Sequence, residues 1–79
     1  MRSIRIKSAM NNIWNIARQY KAGWLSNHLG FMELIYETEK DKQLAEEEFY
    51  MKGFVVIQGA TNCIEPELNK KIHRVFSSM

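Results

Sequence analysis

The chain has 79 residues, of which 46% are hydrophobic and 25% are charged, and its net charge is +2. This length and composition argue against a disordered chain and predict a single small domain over residues 1–79, whose core supplies only about 3–5 kcal/mol of stability without help. Cys63 is the only cysteine, so a disulfide framework is excluded and self-association is the expected source of extra stability.

Charged residues are segregated along the chain. Residues 1–30 contain five Lys or Arg and no acid, whereas residues 33–48 contain seven acids and two lysines. This segregation is typical of a face that binds polyanions, but it is also expected when basic and acidic segments pack against each other, within one chain or across a dimer. We favour the second interpretation.

The first elements are predicted to be a strand and a helix. The segment SIRIKS alternates apolar and basic residues, which predicts a short, half-buried N-terminal strand. From Ala9 onward the apolar residues recur at steps of three and four, which predicts an amphipathic helix ending near Ala22-Gly23.

The segment GWLSNHLGF, residues 23–31, predicts a corner between helices, with Ser26-Asn27 as the cap of a second short helix. The next segment, FMELIY, is hydrophobic around most of a helix circumference, which predicts burial on several sides, one of them against another subunit. A capping-box pattern at Thr38 begins a helix that ends at Lys52-Gly53. Residues 31–52 form one helix or two, and the polar segment ETEKDKQ favours two.

The last third of the chain predicts a strand and a helix. FVVIQ, residues 54–58, is rich in β-branched residues and bounded by glycines, which predicts a buried strand. Pro66 and its acidic neighbours predict the first turn of a C-terminal helix. The expected fold is therefore α+β and mostly helical, with two or three central helices. Its two strands are expected to pair with each other or with a partner chain.

Catalytic and cofactor motifs are not recognisable in this sequence. Cys63 with His28 or His73 is the only thiol–imidazole combination, and no local signature or metal-ligand spacing supports it. The three glutamates at 46–48 point in different directions around a helix, so they form no catalytic pair. We therefore expect a protein that is not an enzyme, with no catalytic residue, metal, cofactor or small-molecule substrate.

A DNA-binding helix-turn-helix is the one known motif that residues 23–31 approach. Leu25, Leu29, Gly30 and Phe31 match its turn loosely. The segment after the turn, MELIYETEKDK, would then be the recognition helix, but its carboxylates repel the phosphate backbone. We do not favour this motif.

The predicted N-terminal strand and first helix are a better candidate for binding DNA or RNA, because they are basic and present side chains that pair with bases. The alternative is a solvated surface with no ligand. The candidate nucleic-acid-binding residues are Arg2, Arg5, Lys7, Asn11, Asn15 and Arg18.

Aromatic, aliphatic and methionine side chains give a candidate protein interface, because aromatic residues and methionine are enriched at interfaces. An unpaired edge of FVVIQ would add strand addition as a second mode of binding. The alternative is that these side chains complete the core of the monomer. The candidate interface residues are Phe31, Met32, Leu34, Ile35, Tyr36 and Met51.

The sequence favours a small regulatory protein that binds another protein, as a modulator or inhibitor of a larger complex, and that forms a homodimer. The alternative is a nucleic-acid-binding regulator. The lone cysteine and the absence of a signal peptide predict a cytoplasmic location, and the longest apolar run, residues 54–57, is too short to span a membrane.

Overall fold

Two long helices and a four-stranded antiparallel sheet make up the computed structural model, which describes residues 2–28, 30–61 and 65–77, with side chains from residue 10 onward. The elements in chain order are α1 (Arg2–Gln19), β1 (Gly23–His28), β2 (Phe31–Ile35), α2 (Glu39–Met51), β3 (Val55–Gln58), α3 (Pro66–Asn69) and β4 (Ile72–Phe76). The strand order is β1-β2-β4-β3, so β1 and β3 are the two edges of the sheet.

The two long helices pack on one face of the sheet, which we call the helix face. Side chains alternate along a strand, so residues 32, 34, 73 and 75 point to the helix face and their neighbours point to the other. Residues 59–61 lie over that second face, which we call the loop face, because Thr61 bonds to Glu33 there. The core on the helix face consists mainly of Ile13, Ile16, Ala17, Met32, Leu34, Ala45, Phe49 and Val75.

The helix predicted from Ala9 is confirmed as the larger part of α1, and the helix predicted after Thr38 is confirmed as α2, the single helix within residues 31–52. Thr38 caps α2, since its hydroxyl accepts a hydrogen bond from the Asp41 N–H at 3.1 Å. The chain leaves the helix through Gly53, whose φ of 88° is a conformation that glycine adopts readily. A hydrogen bond of 2.7 Å from the Tyr20 hydroxyl to Glu48 joins α1 to α2.

The expectation of a mostly helical fold is wrong, because residues 31–35 form the strand β2 and not a helix. β2 lies between β1 and β4, with the helices on one face and residues 59–61 over part of the other, and its middle residues 32–34 are buried. Met32 and Leu34 face the helices, while Phe31 and Ile35 face the opposite side. A strand buried on both faces lacks polar–apolar alternation, which is the pattern that had indicated a helix buried all round.

The predicted C-terminal helix is also wrong beyond its first turn. Pro66 does begin α3, but this helix ends at Asn69, and residues 72–76 form the second central strand. The apolar residues of this segment were assigned to one side of a helix. In the structure Ile72 and Val75 are both fully buried, on opposite faces of the sheet.

Two further expectations near the N terminus are corrected. The predicted strand in SIRIKS is part of α1, because Ile6 continues the steps of three and four that lead to Met10 and Ile13. The predicted corner at residues 23–31 is the strand β1 and a connection to β2 that passes through Gly30, with φ at 99°. Leu29 lies outside the described residues. The sheet therefore has four strands, not the two expected.

The strand predicted at residues 54–58 is confirmed as β3 (Val55–Gln58), but it is not buried. It pairs only with β4 among the described strands and forms an edge of the sheet. Its side chains Val55 and Ile57 are 52% and 42% exposed on the loop face.

Candidate functional site

A chain of polar side chains crosses the core between α2 and the sheet. His73 of β4 is fully buried, with Nε2 3.0 Å from the Tyr36 hydroxyl and Nδ1 3.0 Å from Oε2 of Glu46. A neutral imidazole protonated on Nδ1 satisfies both contacts, because it donates to the carboxylate and accepts from the phenol. This network therefore joins α2 to both central strands.

The same network extends to the sheet edge through Gln58 of β3. Its side-chain amide donates to Oε2 of Glu46 at 2.6 Å, and its carbonyl oxygen accepts from Nζ of Lys42 at 2.7 Å. Both partners lie on α2 and are buried. The side chain of Gln58 therefore fixes β3 to the helix above it.

Burial and hydrogen bonding set the protonation states in this network. Burial lowers the pKa of His73, although Glu46 opposes the effect. Burial alone would raise the pKa of Glu46, but hydrogen bonds from His73 and Gln58 and the charge of Lys42 hold it below its ordinary value. The network thus pairs a neutral imidazole with a carboxylate at neutral pH. Because His73 is sealed from solvent, this arrangement supports the fold and offers no reactive atom to a substrate.

A second polar cluster lies on the loop face, and the sequence did not predict it. The hydroxyl of Ser26 donates to Oε1 of Glu33, and Nε2 of His28 lies 2.9 Å from the Ser26 oxygen and 3.4 Å from Oε1. The backbone N–H and the hydroxyl of Thr61 donate to Oε2 at 2.7 and 2.9 Å. Glu33 therefore holds the loop at residues 59–61 onto the sheet.

Serine, histidine and carboxylate are the components of a hydrolytic triad, but the hydrogen bonds among Ser26, His28 and Glu33 are arranged differently. In a triad the imidazole accepts the serine proton and the acid binds the other ring nitrogen. Here the Ser26 hydroxyl donates its hydrogen bond to the carboxylate of Glu33 and not to the imidazole. Burial would raise the pKa of Glu33, yet hydrogen bonds from Ser26 and Thr61 lower it to about 2. So weak a base does not activate a serine.

Three aromatic rings form a row across the loop face. His28 stacks on Phe31 with centroids 4.3 Å apart, and Phe31 stacks on Phe76 at 4.8 Å. Since each ring turns its flat face to the ring on the next strand, the rings stand upright on the sheet. Sheets that bind single-stranded nucleic acid offer ring faces to the bases, and here these faces are largely occupied by one another.

The outer edge of β3 presents unpaired backbone groups. The N–H of Gly59 donates to the carbonyl of Ile72 at 2.9 Å, so Gly59 bonds toward β4. In an antiparallel pair, every second residue along a strand bonds to the neighbouring strand, and the residues between them point their backbone groups the other way. Val55 and Ile57 therefore bond to β4, whereas the N–H and C=O groups of Val56 and Gln58 point away from the sheet. No strand among the described residues pairs with them.

The two edges of the sheet differ in their protection. β1 has a register shift between Trp24 and Ser26, and such bulges discourage pairing with another chain. β3 has a continuous register from Val55 to Gln58 and contains no charged residue, proline or bulge. The β3 edge is short, at four residues, but it lacks the charges, proline and bulge that usually prevent strand addition.

The structure divides the six candidate interface residues among three places. Met32, Leu34 and Tyr36 are buried on the helix side, and Phe31 and Ile35 are half-buried on the loop face. The sixth residue, at the end of α2, is Met51, which is 85% exposed.

The candidate nucleic-acid-binding residues all lie on α1. Asn11, Asn15 and Arg18 are exposed within about two turns of the helix. The side chains of the other three, Arg2, Arg5 and Lys7, lie outside the described residues.

Comparison with models of protein families, with curated proteins and with solved structures finds no match to this chain. Within residues 2–28, 30–61 and 65–77, no helix is long and apolar enough to cross a membrane. In the same ranges, no three His, Cys, Asp or Glu side chains are grouped so as to hold a metal ion.

Proposed function

We propose that this chain is a small protein-binding domain, and not an enzyme, that pairs with another polypeptide strand along the outer edge of β3. The observation behind this proposal is the unprotected edge itself, with outward backbone groups at Val56 and Gln58. Strand addition of this kind obtains its affinity from main-chain hydrogen bonds and its specificity from the side chains beside them.

The side chains beside the edge favour an apolar partner strand. Val55 and Ile57 are about half exposed on the loop face, and a strand added beside them would remove apolar surface from water. Across the sheet Val55 is paired with Phe76, so the apolar surface continues inward from the edge.

Rigidity of the edge adds to this proposal. The Gln58 side chain bonds to both Lys42 and Glu46, so β3 is held in its extended form before a partner arrives. A preorganised site loses less conformational entropy on binding than a flexible one.

The test is retention of proteins from a nuclease-treated lysate on the immobilised chain. Val56→Pro removes an outward N–H that bonds to nothing within the sheet, and edge positions of this kind accept proline. Val56→Ala is the matched control, because it removes at least as much packing against the core but keeps the N–H. We expect partners retained by the wild type and Val56→Ala to be lost by Val56→Pro, with both variants folded by circular dichroism. Equal retention by both variants would contradict the proposal.

Nucleic-acid binding by α1 is a second candidate function. The observation that favours it is the exposed row of Asn11, Asn15 and Arg18 in a segment without acids. We expect binding of labelled DNA or RNA that weakens steeply with salt and is abolished by Arg5→Glu combined with Arg18→Glu. Absence of binding at ~50 mM salt would exclude this candidate.

In the first proposal the domain acts as a modulator or inhibitor when its β3 edge pairs with a strand of a larger protein. We also propose a cytoplasmic location. Its basis is Cys63, the only cysteine, which cannot form a disulfide within the chain.

A further inference from the structure

We infer that the strand added to β3 is β3 of a second copy of this chain, in an antiparallel register centred on Ile57. The two four-stranded sheets then join into one sheet of eight strands. This inference rests on the proposed function, since it concerns the same edge. A second copy and a strand of a larger protein would compete for that edge and would not occupy it together.

The register follows from which backbone groups point outward. Val56 and Gln58 flank Ile57, so a twofold axis at Ile57 places Val56 of one copy opposite Gln58 of the other. Both residues have outward N–H and C=O groups, and each such pair exchanges two hydrogen bonds. Between them the two Ile57 residues form a non-hydrogen-bonded pair, in which side chains lie closest.

The side chains are compatible with this register. Ile57 contacts its own equivalent, and Val55 lies opposite Gly59 of the other copy, where there is no side chain to collide with. Both apolar side chains are now about half exposed, so the pairing removes them from water.

Charge also permits the copies to approach. Val55–Gln58 contains no ionised side chain, so no like charges face each other along the paired strands. Next to the edge, Lys42 and Glu46 supply one charge of each sign beside Gln58. Arg74, the neighbour of Ile57 across the sheet, directs its Nε to the carbonyl of Gly59 at 3.3 Å.

A second copy is favoured over a flexible peptide because it is already extended. Ordering the backbone of a peptide costs about 1–2 kcal/mol per residue, a cost that a folded β3 does not incur. Association also adds stability to a core that is small for a self-sufficient domain.

The first test is sedimentation of the purified chain at concentrations up to about 1 mM, which detects even weak dimers. Ile57→Lys and Ile57→Glu each place like charges at the twofold axis, so we expect each to weaken dimerisation at least about tenfold. An equimolar mixture of the two variants should regain the dimer, because Lys then faces Glu. Leu25→Lys is the matched control, since Leu25 is 45% exposed but lies on the opposite edge strand, and we expect it to dimerise like the wild type.

A second test uses the unaltered chain. The N–H groups of Val56 and Gln58 point outward, so their hydrogen exchange should slow as the concentration rises, while that of Ile57 should be protected throughout. A dimer in which these two amides stay unprotected, or which tolerates Ile57→Lys, would overturn the inference. A chain that remains monomeric to about 1 mM would also overturn it, whereas the Val56→Pro comparison would still decide the proposed function.

Discussion

The imidazole of His73 and the carboxylate of Glu46 meet at 3.0 Å inside the core, in a contact between a central strand and α2. The imidazole is fully buried, and its other nitrogen accepts from the Tyr36 hydroxyl. Because Gln58 bonds to the same carboxylate oxygen, this contact also stabilises the edge strand on which the proposed binding depends.

Replacing His73 with leucine should therefore destabilise the fold. The substitution leaves the Tyr36 hydroxyl and one side of Glu46 without a partner, and we expect a loss of about 2–4 kcal/mol in the free energy of unfolding. Tyr36→Phe removes only the hydroxyl and should cost about 1 kcal/mol. Urea unfolding measures both. A His73→Leu variant as stable as the wild type would show that the network adds no net stability.

Acid should destabilise the chain in two stages. Burial lowers the pKa of His73, so the unfolded state binds this proton more readily and stability falls as the pH drops below about 6.5. Glu33, with a pKa of about 2, and Glu46, with a lowered pKa, contribute stability that is present above about pH 4.5. That contribution is lost as the pH falls toward their folded-state values.

Glu33→Gln separates the second stage from the first. The lowered pKa of Glu33 corresponds to at most about 3 kcal/mol, and we expect about 1–2 kcal/mol once dielectric screening of the carboxylate is allowed for. In this variant the free energy of unfolding should therefore depend less steeply on pH between about pH 5 and 2. The loss of stability below about pH 6.5, which His73 causes, should remain. Thermal or urea unfolding across this range is the measurement. An unchanged slope below pH 5 would contradict the role assigned to Glu33.

Local sequence signals identified α1 from Ala9 onward, α2 and β3, because each has a period, a cap or a glycine boundary within its own segment. The central strands were mistaken for helices because burial on both faces erases the alternation that marks a strand. Met32 and Ile35 illustrate this, since one faces the helices and the other the loop face.

The candidate site was only partly predictable for a related reason. Strand addition at FVVIQ was expected, but which of its residues have outward backbone groups depends on the register with β4. Likewise, Glu46 and His73 are 27 residues apart, and their contact exists only once α2 has packed on the sheet.

Gly59 should not tolerate a side chain. Its φ is 82°, and a Cβ atom there would lie 2.7 Å from Nδ2 of Asn69, whose Oδ1 accepts from the Ala60 N–H. We expect Gly59→Ala to cost about 1–3 kcal/mol in the free energy of unfolding. Gly30→Ala measures the cost of the positive φ alone. Its φ is 99°, but the nearest atom to an added Cβ would be Oγ of Ser77, 3.9 Å away. Equal losses in the two variants would mean that the Asn69 contact is unimportant.

Truncation of Leu34 and of Met51 should show which of the interface residues predicted from the sequence stabilise the core and which lie on the surface. Leu34 is fully buried, so Leu34→Ala should lower the free energy of unfolding by about 2–5 kcal/mol. Met51 is 85% exposed, so Met51→Ala should change it by less than about 0.5 kcal/mol. Urea unfolding of the two variants, with sedimentation at matched folded concentrations, distinguishes the roles. If Met51→Ala weakens self-association at unchanged stability, then the end of α2 joins the interface and pairing is not confined to β3.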